Sequence, residues 1–266
     1  MQALKDECAG LWRARALLLL MTRRELVGRH AGSVLGIVWL YAQPLLTIAI
    51  YYLVFDLVFK MRLGEGAQAS PVGAYLIVGM VPWMAFCDAV ARGMSSLLEA
   101  GGLLQKNPLP TAVFPARAVL TSAVIYLPLT LVLVLAYASR HHFSAALLML
   151  PVLLLAMMAI WGLLAYLLAI LAAAVRDVTQ VVTFFLGVGV FLSPIFFPPS
   201  MFPAALSWLL WLNPMTAPVL GFQSLLLSGL PPGWDVWLGL AAWLLGLASA
   251  LNLLVARSRE QLIDWL

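Results

Sequence analysis

Asp88 and Arg92 stand four residues apart, the spacing that places two side chains on one face of a helix. Their surroundings are apolar, and a lone charge at the centre of a membrane helix costs about 2.5 to 3.5 kcal/mol on insertion scales. They therefore read as a pair, either a structural ion pair against another helix or part of a gate. Asp56 and Lys60 repeat the spacing and read as a solvated pair. His141 and His142 are neighbours that point to different helix faces, which suits a short exposed loop. Cys8 and Cys87 lie far apart in different kinds of segment and have neither disulfide logic nor metal-ligand spacing. The sequence contains no GxxxxGK[ST] phosphate loop, no HExxH and no GxSxG. No catalytic residue, metal or cofactor is expected. Intramembrane charges are too few for a proton-relay pump, so an energy source lies on another chain or transport is passive.

These residues are held in an unusually apolar chain. Of its 266 residues, 64% are hydrophobic and 10% are charged, whereas soluble domains run near 45–50% apolar and about 25% charged. Lipid is the consistent solvent, and the whole chain, 1–266, reads as one membrane domain. The expected fold is an all-α membrane protein of six transmembrane helices, with an amphipathic interfacial helix first and two short re-entrant helices before the last span. Residues 2–30 mix Leu4, Leu11, Trp12, Leu18 and Leu19 with Arg13, Arg15, Arg23, Arg24 and Arg29, which suits the headgroup boundary. The basic start is read as retained: the run Ala16–Met21 is short for a signal peptide, and Arg23 and Arg24 follow it where a cleavage site belongs.

The bundle is expected over 34–256, with spans at 34–59, 71–97, 117–138, 145–175, 178–197 and 234–256. A polar connection, Leu98–Ala116, carries Gly101, Gly102, Pro108, Pro110 and Pro115 as breakers. Residues 198–233 are apolar but interrupted by Pro198, Pro199, Pro203, Pro214, Pro218, Pro231 and Pro232. Runs this short cannot cross about 30 Å of hydrocarbon. Half-inserted helices near Ala204–Leu212 and Ala217–Ser228 are the alternative, and protein or a wet cavity must surround their exposed backbone.

Orientation follows from lysine and arginine placement. With the N-terminus inside, twelve cationic residues face the cytoplasm: Lys5, Arg13, Arg15, Arg23, Arg24, Arg29, Arg92, Lys106, Arg117, Arg176, Arg257 and Arg259. Three face out: Lys60, Arg62 and Arg140. Both termini are then cytoplasmic, in a multi-pass membrane protein.

Several segments in order along the chain carry a resemblance. They are Gly32-Ser33-Val34-Leu35-Gly36-Ile37-Val38-Trp39 with Gln43-Pro44-Leu45, Leu103-Leu104-Gln105-Lys106 with Phe114-Pro115, and Arg176-Asp177-Val178. Ser193-Pro194-Ile195-Phe196-Phe197 and Leu212-Asn213-Pro214-Met215-Thr216 complete the set. Together they resemble the permease subunits of type-2 ABC exporters for polysaccharides, which move O-antigen, capsule or teichoic-acid chains. The run Asn107-Pro108-Leu109-Pro110-Thr111 departs from that pattern by its prolines. The resemblance implies a dimer of permeases, two copies of a separate nucleotide-binding ATPase, and a channel for a lipid-linked glycan in contact with membrane lipids. Nucleic acid has no place in it. The rival readings are a type-2 permease for a lipid or drug, and a membrane-embedded transferase. The transferase would need carboxylates or histidines clustered at one membrane face.

Two groups of residues become candidates. On a helical wheel Tyr41, Tyr52, Phe55 and Phe59 fall within about 60° of one another. Phe184 and Phe191 share a face with Gln180 nearby. Rings along a path suit a sliding glycan, and the competing reading is helix packing or an interfacial aromatic belt. Glu99, Leu103, Leu104 and Lys106 give the 98–106 segment apolar and charged groups for a groove on the ATPase. A plain surface loop is the alternative there.

Overall fold

The computed structural model describes residues 2–29, 32, 34–59, 62–63, 70–107, 109–138, 143–258 and 261–266. Expectations resting on Ser33, Lys60, Pro108, Arg140, His141, His142 and Arg259 lie outside the described residues. The chain opens with α1 (Gln2–Arg13) and α2 (Arg15–Gly28). Then comes α3 (Trp39–Tyr52), which widens into a π-helical turn over Leu53–Val58. A two-residue antiparallel ladder, β1 (Arg62–Leu63) with β2 (Ser70–Pro71), sets Arg62 opposite Pro71 and leads to α4 (Val72–Leu104). α5 (Val113–Leu133) ends in a second π turn, Val134–Ala138, and α6 (Leu150–Ala174) follows a 3-10 turn, Ala145–Met149. The rest comprises α7 (Asp177–Val188), α8 (Trp208–Trp211), α9 (Thr216–Gln223, with a π turn over Ser224–Ser228), α10 (Trp234–Ser258) and α11 (Leu262–Trp265).

Five described helices are long and apolar enough to cross a membrane: Trp39–Val58, Val72–Leu104, Val113–Ala138, Ala145–Ala174 and Trp234–Ser258. The axis of the bundle is α4. Of its most apolar window 67% is buried, against 6% for the α3 span, so α4 is the hub and α3 stands at the edge. With lipid as solvent, helices gain little from hiding apolar area, and close packing of small residues takes over. Gly93 faces the Ala165 methyl of α6, and Gly79 lies against Gln223, Ile195 and Val219. A side chain at either position would push α6 or α9 away.

The expected helix over 178–197 stops at Val188. Twelve residues rise only about 18 Å, well short of the roughly 30 Å hydrocarbon depth. Gly189 then packs on the Trp83 indole, about a third of the way along α4, and Ser193-Pro194 prevents a return to helix. Residues 189–197 continue as turns. The chain comes back to the same level at Asn213, and α9 starts beside Trp161, mid-way along α6, whose indole N–H points at the Met215 sulfur at 3.3 Å. From there α9 runs outward to the level of Tyr75. Both re-entrant pieces are present. The first is shorter than expected: a 3-10 turn, Ala204–Leu206, followed by the four residues of α8.

Irregular backbone at this depth needs internal partners. The Asn213 amide donates to the Gly189 carbonyl at 3.0 Å and to Ser193 Oγ at 2.7 Å, and its oxygen accepts from the Met215 amide at 2.9 Å. Gln223 donates to the Pro194 carbonyl at 2.8 Å, and the Thr216 hydroxyl donates to the Leu210 carbonyl.

At the opposite end the boundaries also shift. α4 runs straight through Gly101-Gly102 to Leu104, and α5 begins at Val113 rather than Arg117, so the connection shrinks to 105–112. Gly101 does not break the helix; it makes room, since a Cβ there would meet the Leu266 main chain. Pro115 fits the first turn of α5, where amides have no helical partner. The interfacial helix expected over 2–30 breaks at Ala14. α1 lies on α10, with the Leu4 amide donating to Asn252 Oδ1 at 3.2 Å, and α2 lies on α5.

Candidate functional site

Two constellations stand out, one at each end of the bundle. The first is a charge network where α2 crosses α4 and α5. Arg92 donates to Asp88 Oδ2 at 2.6 Å, so the i, i+4 pair forms, and it donates to Glu25 Oε1 at 2.8 Å. Ser122 of α5 also donates to Asp88 Oδ2, at 2.6 Å, and Arg29 reaches the same oxygen at 3.4 Å. Arg117 Nε contacts Glu25 Oε2 at 2.7 Å, and Arg117 Nη2 approaches Glu99 at 3.9 Å. Glu25 therefore ties α2 to both α4 and α5. Sequence reasoning found Asp88 and Arg92 but not Glu25, Arg29 or Arg117. The available signal was Glu25 itself, the only acid among Arg13, Arg15, Arg23, Arg24 and Arg29.

Of the four residues expected to meet an ATPase, Glu99 borders this network and Leu103, Leu104 and Lys106 sit beyond it, and they do not share one environment. Glu99, Leu103 and Lys106 are exposed, Leu103 to 44%. Leu104 is only 6% exposed and packs with Leu97, Phe114, Leu251 and Leu262 in a second apolar core. The exposed groups are Glu99, Leu103 and Lys106, joined by Gln105 and Asn107.

The second constellation is aromatic and lies toward the opposite end of the bundle. Phe55 is within 6.1 Å of Phe59 and 5.8 Å of Phe196, ring centre to ring centre, and Phe196 stacks on Phe191 at 5.3 Å with 15° between planes. Tyr51 completes the set, 6.3 Å from Phe55 and 5.8 Å from Phe196. The stripe on α3 and the stretch after α7 are thus joined, through two residues that the wheel did not select, Tyr51 and Phe196. Tyr41 and Tyr52 make no ring contact with the cluster among the described residues, and Phe184 pairs with Phe185 instead. Phe59, Phe184 and Phe191 are exposed on this chain, which for so apolar a protein means facing lipid, water or another protein. Asp56 accepts from the Gly73 amide at 2.9 Å and caps the first turn of α4; its expected partner Lys60 lies outside the described residues.

Residues 16–227 match the profile of the family described as ABC-2 type transporter. The chain belongs to that family. As an ABC-2 transporter it is a multi-pass membrane protein, and both constellations fall inside the matched region, while α1 and α10 lie beyond it. It is 29% identical over 259 residues to the "O-antigen export system permease protein RfbA" of Myxococcus xanthus, covering 96% of each chain. It is 25% identical over 216 residues to a protein of the same name from Klebsiella pneumoniae, covering 80% of this chain and 81% of that one. The match starts at Ala16 in α2, so the helix that carries Glu25 is part of the family region of this ABC-2 transporter rather than an appendage.

Proposed function

We propose that this ABC-2 transporter is the membrane-spanning permease of an exporter that carries a lipid-linked polysaccharide across the bacterial inner membrane. The energy comes from a separate ATPase, present as two copies beside two copies of this chain. The observation that carries the reading is the end-to-end likeness to a protein named for O-antigen export, 96% of each chain. The geometry is in keeping with it. The aromatic cluster offers several rings in succession, and rings hold a sliding sugar by weak contacts of similar strength that do not depend on one hydroxyl pattern. Tyr51, Phe55, Phe59, Phe191 and Phe196 form this wall, with Tyr41, Tyr52 and Phe184 extending it along the path. Glu99, Leu103 and Lys106 meet the ATPase, and Leu104 braces the helix that presents them. Both termini face the cytoplasm.

The test is export in cells. Removing this chain from its host should leave the lipid-linked polymer inside, measured as glycan accessible to an antibody only after the cells are opened. Restoring the chain should return it to the surface. Normal surface glycan in the deletion strain would overturn the assignment.

A further inference from the structure

Where α2 crosses α4 and α5, the charge network borders an open-sided cavity of about 400 Å³ lined by Arg24, Glu25, Arg29, Arg92, Glu99 and Arg117, with Met21 at its edge. Four arginines face two carboxylates there. Asp88 binds Arg29 and Arg92 from one side, so four cations meet three anions and one positive charge is in surplus. Donors are also in surplus. Arg24 is exposed and makes no hydrogen bond or ion pair among the described residues. Arg29 Nε is buried with no hydrogen-bond partner among them, and Arg117 holds Glu99 only loosely. Arginine forks match the geometry of phosphate oxygens. The cavity lies near the cytoplasmic boundary: counted from the outer end of α4, about 30 Å of hydrocarbon is used up near Arg92. Basic pockets at that level recognise lipid head groups.

We propose that this cavity binds the phosphate or diphosphate head group of a lipid at the cytoplasmic surface. Resting on the export reading above, the lipid is the anchor of the exported glycan. Its entry has a structural consequence. Glu25 holds α2 in place through Arg92 at 2.8 Å and Arg117 at 2.7 Å. A phosphate oxygen seeks the same two guanidinium groups, so head-group binding competes with Glu25 and loosens α2 from α4 and α5.

The experiment uses the full chain in dodecyl maltoside and titrates three probes: farnesyl diphosphate, farnesol, and inorganic diphosphate. Farnesyl diphosphate should bind and farnesol should not. Arg24→Gln should weaken binding about tenfold, the loss of one charge-assisted contact. Glu99→Gln, which removes a repelling charge from an exposed rim position, should tighten it. Neither side chain is buried, so both variants should melt like the parent. Equal binding by the parent and Arg24→Gln, or binding of farnesol as tight as that of its diphosphate, would overturn the site. Inorganic diphosphate binding as tightly as the farnesyl compound would overturn the lipid assignment. Excess dioctanoyl phosphatidic acid separates the sources: little displacement supports a cargo anchor, and full displacement overturns it in favour of bulk phospholipid. Because the readout is binding by the isolated chain, its failure leaves the cellular export test standing, and the converse also holds.

Discussion

Leu103 and Leu104 are adjacent, equally apolar and opposite in situation, one exposed and one packed against Phe114, Leu251 and Leu262. Substitutions there should separate two roles. Leu104→Asp buries a carboxylate in an apolar core and should cost about 3 kcal/mol or more, seen as a drop in membrane-inserted protein. Leu103→Asp should leave that level unchanged and reduce the ATPase that co-purifies with the chain. If Leu103→Asp retained a full complement of ATPase, Leu103 would have no part in that contact. The aromatics offer a parallel comparison. Phe196 is buried at the centre of its cluster, so Phe196→Ala should lower the protein level with a cost of about 3–5 kcal/mol. Phe191 stacks on it from an exposed position, so Phe191→Ala should keep the level and slow export several-fold in a pulse-labelling assay of surface glycan. The wheel missed Tyr51 because it assumed an ideal helix. Steps of four residues drift about 40° in an α-helix, and the wider π turn over Leu53–Val58 takes that drift back, lining up positions 51, 55 and 59.

At the scale of elements, hydrophobic length was the most legible signal. The spans at α3 to α6 and at α10 follow from apolar runs with polar ends, and the proline spacing of 198–233 announced half-helices. What sequence could not show is where glycine serves packing instead of breaking a helix. Gly101-Gly102 reads as a break by local rules, yet the approach of Leu266 makes Gly101 a packing residue inside α4. The early end of α7 escaped for a similar reason, since the turns at 189–197 add distant partners, Asn213 and Gln223, to their local hydrogen bonds. Their contribution is measurable. Asn213→Ala removes the donor to the Gly189 carbonyl and to Ser193 Oγ, which keep their bond to each other, and it takes the acceptor away from the amide of fully buried Met215. An orphaned buried group costs about 1–3 kcal/mol. The purified variant should melt several degrees below the parent by intrinsic fluorescence, and an unchanged melting temperature would show that the turn holds without Asn213.

Across the whole molecule, orientation links the two constellations to their proposed tasks. By the twelve-to-three distribution of cations, α2, the charge network and the 105–112 connection are expected inside and the aromatic end of α3 outside. The alternative would set Arg29, Arg92 and Arg117 at the outer surface, where an ATPase could not reach Leu103 and the aromatic wall would open inward. The two arrangements are separated by single cysteines in a background carrying Cys8→Ser and Cys87→Ala. Gln105→Cys and Gln261→Cys are exposed at one end, and Phe143→Cys is exposed at the other. In intact cells an impermeant maleimide should label Phe143→Cys and spare the other two until the membrane is opened. Labelling of Gln105→Cys from outside would invert the bundle. It would remove the head-group cavity from the leaflet where the cargo begins and the 98–106 segment from the side where ATP is hydrolysed. Both proposals would fall together, because the same α4 helix carries Arg92 and Leu103 on its inner end.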